Sequence, residues 1–139
     1  MKAVLFDLDG TLIDTAADFI RIIQNMCRDK GVEPVASDLI RAQVSEGARA
    51  MVKLVYPELD VNDAVFLEHR QRFLDIYGAD IAVDTDLFDG MYALLDELEA
   101  VQIPWGIVTN KPRWLSEALL EALNLSTRCS VLVCPEDVT

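Results

Sequence analysis

Four residues suited to phosphoryl chemistry follow the first apolar run of the chain. Residues 3–6 are apolar, and Asp7, Asp9, Gly10 and Thr11 come directly after them. The carboxylate of Asp7 can attack phosphorus and carry the phosphoryl group as an acyl phosphate. The carboxyl group of Asp9 can protonate the leaving oxygen and later activate water. Gly10 permits a tight turn that brings backbone amides to a phosphate, and Thr11 adds a hydroxyl and a further amide.

The charge of this group implies a divalent cation. The carboxylates of Asp7 and Asp9 would repel a phosphate, and Mg²⁺ is the hard, oxygen-seeking ion that bridges such groups. The alternative is that Asp7, Asp9 and Asp14 are turn and cap residues at an ordinary strand-to-helix junction. The ordered string of acids, glycine and hydroxyl favours the site, because a plain turn does not require all of them.

A second polar cluster follows another apolar run. Thr109, Asn110 and Lys111 come after residues 103–108, and Pro112 then suits the first turn of a helix whose amides point towards an anion. We expect Thr109 and Asn110 to hold phosphate oxygens. For Lys111 two interpretations stay open, a cation that binds the phosphate or an ordinary solvated lysine.

The elements that must position both clusters predict an α/β fold. Residues 3–6, 103–108 and 131–134 are short apolar runs typical of buried strands, and helical patterns cover 91–101 and the segment opened by Pro112. Alternating helix and strand of this kind predicts a parallel sheet with crossover helices. Ligands of such sheets bind at the carboxyl ends of the strands, where both clusters lie.

Helical patterns also cover the segment after the first strand. Thr15 and Asp18 resemble a capping box for the first of these helices, and Gly31 is expected to end it. A later helix over residues 63–77 is expected to stop at Gly78.

This helical insert divides the chain into two predicted domains. Residues 1–15 and 85–139 form the α/β core, and residues 16–84 form a helical cap. Within the cap, residues 45–49 fall at a helix start, where backbone amides and Arg49 would face the substrate and select the leaving group. The alternative is a solvent-facing loop that only joins two helices.

The composition limits the partners. The formal net charge is -12, with 24 acidic residues against 12 Lys and Arg, which disfavours binding to nucleic acid or to anionic membranes. A small phosphorylated metabolite can bind only where amides or a few cations gather locally. The N-terminal apolar stretch is too short for a signal peptide or a membrane span, so we expect a cytoplasmic protein.

The two motifs together resemble the haloacid dehalogenase (HAD) superfamily. Its first motif is matched by DLDGT at residues 7–11, its second by Thr109 closing an apolar strand, and its α-helical cap by the insert between them. Residues 88–90 and 109–112 are most similar to the phosphoglycolate phosphatase branch, including relatives that act on N-acetylmuramic acid 6-phosphate. The resemblance implies a HAD-like Rossmannoid parallel sheet with an inserted cap.

The resemblance also implies roles for individual residues. Asp7 corresponds to the nucleophile and a metal ligand, and Asp9 to the acid/base, which binds metal through its backbone carbonyl. The family's third-motif lysine and fourth-motif acids do not occur before Thr139, so we expect the core to be incomplete. Because the fourth-motif strand lies beside the first strand in this family, residues 3–6 should form an apolar edge that invites self-association.

These inferences combine into one expected function and two alternatives. The expected function is a Mg²⁺-dependent phosphatase that hydrolyses a small phosphomonoester, such as phosphoglycolate or N-acetylmuramic acid 6-phosphate, through an aspartyl phosphate. The first alternative is a phosphomutase with the same motifs. The second is a catalytically silent, self-associating module that retains only the phosphate-binding residues.

Overall fold

Short strands and amphipathic helices alternate along the chain. The structure is a computed structural model, and it describes residues 2–138. The strands are β1 (Val4–Phe6), β2 (Ile13–Asp14), β3 (Asp86–Leu87), β4 (Trp105–Val108) and β5 (Leu132–Val133). The helices are α1 (Ala16–Lys30), α2 (Ser37–Ala42), α3 (Ala48–Val55), α4 (Ala64–Ala79), α5 (Met91–Ala100) and α6 (Arg113–Ala122). Single 3₁₀ turns lie at Val44–Glu46 and Pro135–Asp137.

Strands β1, β4 and β5 form a parallel sheet in that order, which confirms the predicted α/β class. Central strand β4 contains Gly106, which pairs with Leu5 of β1. A Cβ added at Gly106 would lie 2.5 Å from Cγ1 of Val131 and 2.7 Å from its carbonyl oxygen. The sheet therefore packs too closely at this point for any residue with a side chain.

Strand β1 lies at an edge of the sheet within the part of the chain that the structure describes. Leu5 on this strand is 60% exposed. The predicted apolar edge is therefore present in the described residues, and an exposed strand edge can template pairing with another chain. Self-association through β1 stays a prediction.

Two groups of buried apolar side chains divide the interior. One lies among the helices of the insert and includes Phe19, Met51 and Phe66. The other lies under the sheet and includes Leu8 and Trp105. The division into residues 1–15 with 85–139 and residues 16–84 stays a prediction, and its terminal residues Met1 and Thr139 lie outside the described residues.

The start of α1 differs from the predicted capping box. The Thr15 hydroxyl makes no capping bond and instead donates to Asp9, while Asp14 Oδ1 accepts a bond from the amide of Ala16. The side chain of Asp18 is also engaged elsewhere. The capping-box prediction is therefore wrong, because tertiary partners outcompete the local ones. The predicted end of α1 is confirmed, with Gly31 in the left-handed conformation at φ 79°.

Helix α4 continues through Gly78 to Ala79, so the predicted stop at Gly78 is wrong. A Cβ at Gly78 would lie 2.5 Å from Cζ3 of Trp114 on α6. The glycine allows α4 to approach α6 closely, and it does not end the helix.

The side chain of Asp18 links the two chain segments that connect the helical insert to the sheet, because it lies on α1 and binds residues of the returning segment. It is fully buried on α1 and accepts hydrogen bonds from the amide of Asp84, the hydroxyl of Thr85 and the guanidinium of Arg21. Next to this cluster, β2 and β3 pair antiparallel. The outgoing and returning linkers are thereby held side by side.

No helix within residues 2–138 is long and apolar enough to cross a membrane.

Candidate active site

Asp7 lies at the carboxyl end of β1 and is exposed. Its Oδ1 accepts a hydrogen bond of 2.8 Å from the amide of Leu8, which fixes the orientation of the carboxylate. The carboxylate faces a cavity of about 450 Å³ whose lining includes Thr109 and Asn110. The structure thus brings together residues from two strand ends that are far apart in sequence, as the parallel sheet predicts.

The loop after Asp7 is held by its own backbone. The carbonyl of Leu8 accepts from the amides of Thr11, Leu12 and Ile13, and the amide of Gly10 donates to the carbonyl of Ile13. The amides of Gly10 and Thr11 are therefore already bonded within the loop. This geometry does not support the expectation that they are free for phosphate, whereas the exposed side chain of Thr11 remains accessible.

Lys111 is buried and forms an ion pair with Asp9. Its side chain is 4% exposed, and Nζ lies 3.0 Å from Asp9 Oδ1 and 3.0 Å from the hydroxyl oxygen of Tyr77. The ammonium also lies over the rings of Tyr77 and Phe19, at 4.3 Å and 5.1 Å from their centroids. The interpretation of Lys111 as a solvated residue is therefore wrong.

The surroundings of Lys111 keep it charged. Burial alone lowers the pKa of the ammonium, but the charge of Asp9 and the bond to Tyr77 outweigh it and raise the pKa above its ordinary value. Burial raises the pKa of the Tyr77 hydroxyl. At neutral pH the site therefore holds a lysine cation and a neutral tyrosine.

Asp9 accepts a second hydrogen bond, of 3.0 Å, from the hydroxyl of Thr15 to the same Oδ1 that binds Lys111. The residue is only 4% exposed, so two donors fix a buried carboxyl group in place. Thr109 is positioned in a similar way. Its amide donates to the carbonyl of Val133, and its Oγ1 accepts from the amide of Lys111. The hydroxyl hydrogen of Thr109 is thus available for an anion.

The loop of residues 45–47 closes over both motifs. Asn110 Nδ2 donates to the carbonyl of Glu46 at 3.4 Å. A Cβ on Gly10, at φ 80°, would lie 3.1 Å from Ser45 Oγ, and a Cβ on Gly47, at φ 88°, would lie 3.2 Å from Asn110 Nδ2. Both glycines therefore combine a left-handed backbone with close packing. The loop therefore contacts residues of both motifs, and its role in selecting the leaving group stays a prediction.

Arg49 lies in the first turn of α3 and is exposed. It lines a cavity of about 360 Å³ together with Asn110 and Arg70. The structure thus places the predicted cap residue next to the second motif. A contact between Arg49 and substrate stays a prediction.

The described residues fit only part of a magnesium site. No group of three or more His, Cys, Asp or Glu side chains suited to a metal occurs within residues 2–138. The Asp7 carboxylate is exposed and suits an oxygen-seeking ion. Oδ1 of Asp9, in contrast, is bonded to Lys111 and Thr15.

Sequence reasoning missed four residues of the site, which are Thr15, Ser45, Arg70 and Tyr77. The sequence predicts a helix-cap role for Thr15 and places Ser45 only in a lid loop. Tyr77 belongs to the apolar face of α4, where a buried hydroxyl gives no sequence signal of its own. The pairing of Tyr77 with Lys111 would have been suggested only by knowing that α4 packs beside the second motif.

Comparisons with known proteins identify relatives of this chain. Residues 4–139 match the family described as Haloacid dehalogenase-like hydrolase. The chain is 45% identical over 141 residues to an N-acetylmuramic acid 6-phosphate phosphatase of Pseudomonas putida (strain KT2440), covering 99% of this chain and 61% of that protein. It is 39% identical to a phosphoglycolate phosphatase of Xanthomonas campestris, covering 95% of this chain and 59% of that protein.

A solved structure shows the same fold. The crystal structure of a predicted phosphoglycolate phosphatase from Haemophilus somnus 129pt superposes with a TM-score of 0.82 at 22% identity, covering 99% of this chain and 64% of that one. The chain spans about three fifths of the length of the curated relatives it matches.

Proposed function

This chain belongs to the haloacid dehalogenase-like hydrolase family, and from that premise we propose that it is the nucleophile-bearing part of a phosphatase acting on a small phosphomonoester. The observation that carries the proposal is the position of Asp7. Its carboxylate is exposed, oriented by the amide of Leu8, and shares one cavity with Thr109 and Asn110. A nucleophile and two groups able to hold phosphate oxygens therefore face the same space.

In the proposed reaction Asp7 attacks phosphorus while the hydroxyl of Thr109 and the amide of Asn110 hold phosphate oxygens. The bond between phosphorus and the leaving oxygen breaks, and Asp9, which enters this step in its protonated form, gives that oxygen its proton. Asp9 then takes a proton from the water that hydrolyses the aspartyl phosphate, which releases phosphate and restores Asp7.

We assign Lys111 to the positioning of Asp9. Its ammonium lies 3.0 Å from the Asp9 carboxylate, and direct phosphate binding would require it to leave that partner. Once Asp9 has given up its proton, the Lys111 cation offsets the charge of the resulting carboxylate. This role differs from the phosphate contact that the sequence suggests.

We further propose that Mg²⁺ assists this chemistry. When bound, the ion offsets the negative charge of the phosphate and of the attacking carboxylate. Asp7 would supply the carboxylate ligand and Asp9 its backbone carbonyl. Magnesium commonly keeps several waters and takes few protein ligands, so this partial donor set suits it.

The substrate class follows from the relatives and from the cavity. Relatives at 39–45% identity are named for N-acetylmuramic acid 6-phosphate and phosphoglycolate. The Asp7 cavity, at about 450 Å³, lies in the range of small-molecule sites. We therefore propose a phosphomonoester of a small acid or sugar acid as substrate.

Phosphate release with and without Mg²⁺ tests the proposal. We would compare the chain alone, the chain joined to the C-terminal segment of the Pseudomonas putida relative, and both with Asp7→Asn. We expect Asp7→Asn to lower turnover at least ~10³-fold, because no other carboxylate takes over attack. The control is Asp75→Asn, an exposed acid on α4 bonded to Gln71, which should leave turnover unchanged.

Three results would contradict the phosphatase. Turnover by the Asp7→Asn variant would show that Asp7 is not the nucleophile. Activity that requires a sugar bisphosphate and releases no net phosphate would favour the mutase. A chain that self-associates, with neither form releasing phosphate, would favour the silent module.

A further inference from the structure

We propose that Arg70, together with Arg49, forms an anion subsite that selects phosphomonoesters carrying a carboxylate. This inference deepens the proposed function and rests on it for the position of the phosphate. It adds a specificity residue, Arg70, that lies mid-helix on α4 and far from both motifs in sequence.

The first observation is the position of the two arginines. Arg49 from α3 and Arg70 from α4 line one cavity of about 360 Å³. Asn110 lines that cavity and also the cavity that contains Asp7. The two cavities therefore adjoin at Asn110, and we infer that a ligand with its phosphate at Asp7 places a second group beside the arginines.

The second observation is the charge of this cavity. The chain carries twice as many acidic residues as Lys and Arg, 24 against 12. Even so, neither Arg49 nor Arg70 forms an ion pair with a carboxylate of residues 2–138. The cavity lining also includes Glu46, which is exposed, so two arginines and one acidic residue line this cavity. The excess positive charge lies beside the predicted phosphate site.

Guanidinium chemistry fits an oxyanion, and the names of the relatives favour a carboxylate over a second phosphate. Two planar guanidinium groups match the paired oxygens of a carboxylate and lose less hydration than ammonium groups when they bind it. Arg70 also lines the small cavity that contains Asp9 and Lys111, so it reaches towards the leaving-group side of the site. The relatives are named for N-acetylmuramic acid 6-phosphate and phosphoglycolate, both of which carry a carboxylate.

The test compares two ligands that differ only in this group, phosphoglycolate and ethyl phosphate. Their affinities for the Asp7→Asn chain are measured by calorimetry with Mg²⁺, so that turnover does not contribute. We expect phosphoglycolate to bind roughly 10- to 100-fold more tightly, as charge-assisted hydrogen bonds to one carboxylate provide. Arg70→Gln should abolish most of that preference, and Arg70→Lys should retain part of it.

The matched control is Arg72→Gln on the same helix. Arg72 is exposed and pairs with Asp29, so its loss changes the net charge equally but leaves the cavity intact. Circular dichroism of each variant confirms folding. A preference that survives Arg70→Gln, equal affinity for the two ligands, or no binding of either one overturns the inference.

The outcomes separate this inference from the proposed function. Selective binding that depends on Arg70, without phosphate release by any form of the chain, retains the subsite and rejects the phosphatase. Phosphate release with equal kcat/KM for both ligands retains the phosphatase and rejects the subsite. Stronger binding of a bisphosphate than of phosphoglycolate also rejects a carboxylate subsite.

Discussion

Replacing Lys111 by methionine removes the ammonium beside Asp9 but keeps an unbranched side chain of similar length. Asp9 and Lys111 are 4% and 5% exposed, so water cannot replace the lost partner fully. Asp9 would keep only the hydrogen bond from Thr15. The hydroxyl of Tyr77 would lose its donor as well.

The expected loss is large because the pair is buried and close. Charges 3.0 Å apart attract by about 5–6 kcal/mol at an effective dielectric constant of 20, before the cost of desolvation. Breaking a buried pair from one side typically costs about 3–5 kcal/mol. We expect Lys111→Met and Asp9→Asn each to lower the free energy of unfolding by about 3 kcal/mol. The double variant should lose about 2 kcal/mol less than the sum, because its two losses share one interaction.

Urea unfolding followed by far-UV circular dichroism measures these four free energies. The control cycle is Arg72→Met with Asp29→Asn, an exposed ion pair whose coupling should be below about 1 kcal/mol. A coupling energy under about 0.5 kcal/mol for the Lys111 cycle would refute the reasoning. It would mean that Lys111 is solvated in solution and does not position Asp9.

Three further perturbations test the architecture around the site. Asp18→Asn should lower the free energy of unfolding by about 2–3 kcal/mol in urea titrations, since a buried acceptor of several donors is weakened; an unchanged midpoint would contradict its role at the linkers. Gly106→Ala should lower the free energy of unfolding, measured by thermal unfolding, by about 1–3 kcal/mol or more, because the new methyl group would lie 2.7 Å from the Val131 carbonyl oxygen. A variant as stable as the wild type would show that the strands move apart to accommodate the methyl group. The hydrogen bond from Arg128 holds the pKa of Glu99 below its ordinary value. This pair therefore stabilises the fold above the ordinary carboxyl pKa, and the contribution is lost as the pH falls through the lowered one. Glu99→Gln should reduce that acid dependence by less than about 1 kcal/mol between pH 7 and 3, because the pair is partly exposed; an identical pH dependence in both proteins would rule out the pair.

Several features of the fold follow from local sequence. The apolar runs before Asp7 and Thr109 are too short for helices, so strands are the remaining way to bury them. Helix and strand then alternate, and that order implies parallel pairing, which the structure has between β1 and β4. Parallel strands end at the same edge. The meeting of Asp7 with Thr109 and Asn110 in one cavity was therefore predictable.

The contacts of several side chains depended instead on how the helices pack against one another and against the sheet. The sequence left Lys111 equally suited to solvent or to phosphate, and the structure buries it against Asp9, 102 residues away. Glycine is typical of a helix end, but Gly78 lies within α4. The ring of Trp114 occupies the space that a side chain at this position would need. Threonine is a residue type common at helix N-caps, yet the hydroxyl of Thr15 donates its hydrogen bond to Asp9.

One physical cause separates the features that the sequence predicts from those that it does not. The strand ends and their acids were determined by the sequence alone, because strand formation and turn geometry depend on neighbours a few residues away. The partners of Lys111 and Thr15, and the cavities that Arg70 lines, were decided only by tertiary structure. A buried polar group takes whichever partner the packed helices bring within hydrogen-bond distance, and the packing of α4 and α6 beside the sheet is not encoded at those positions.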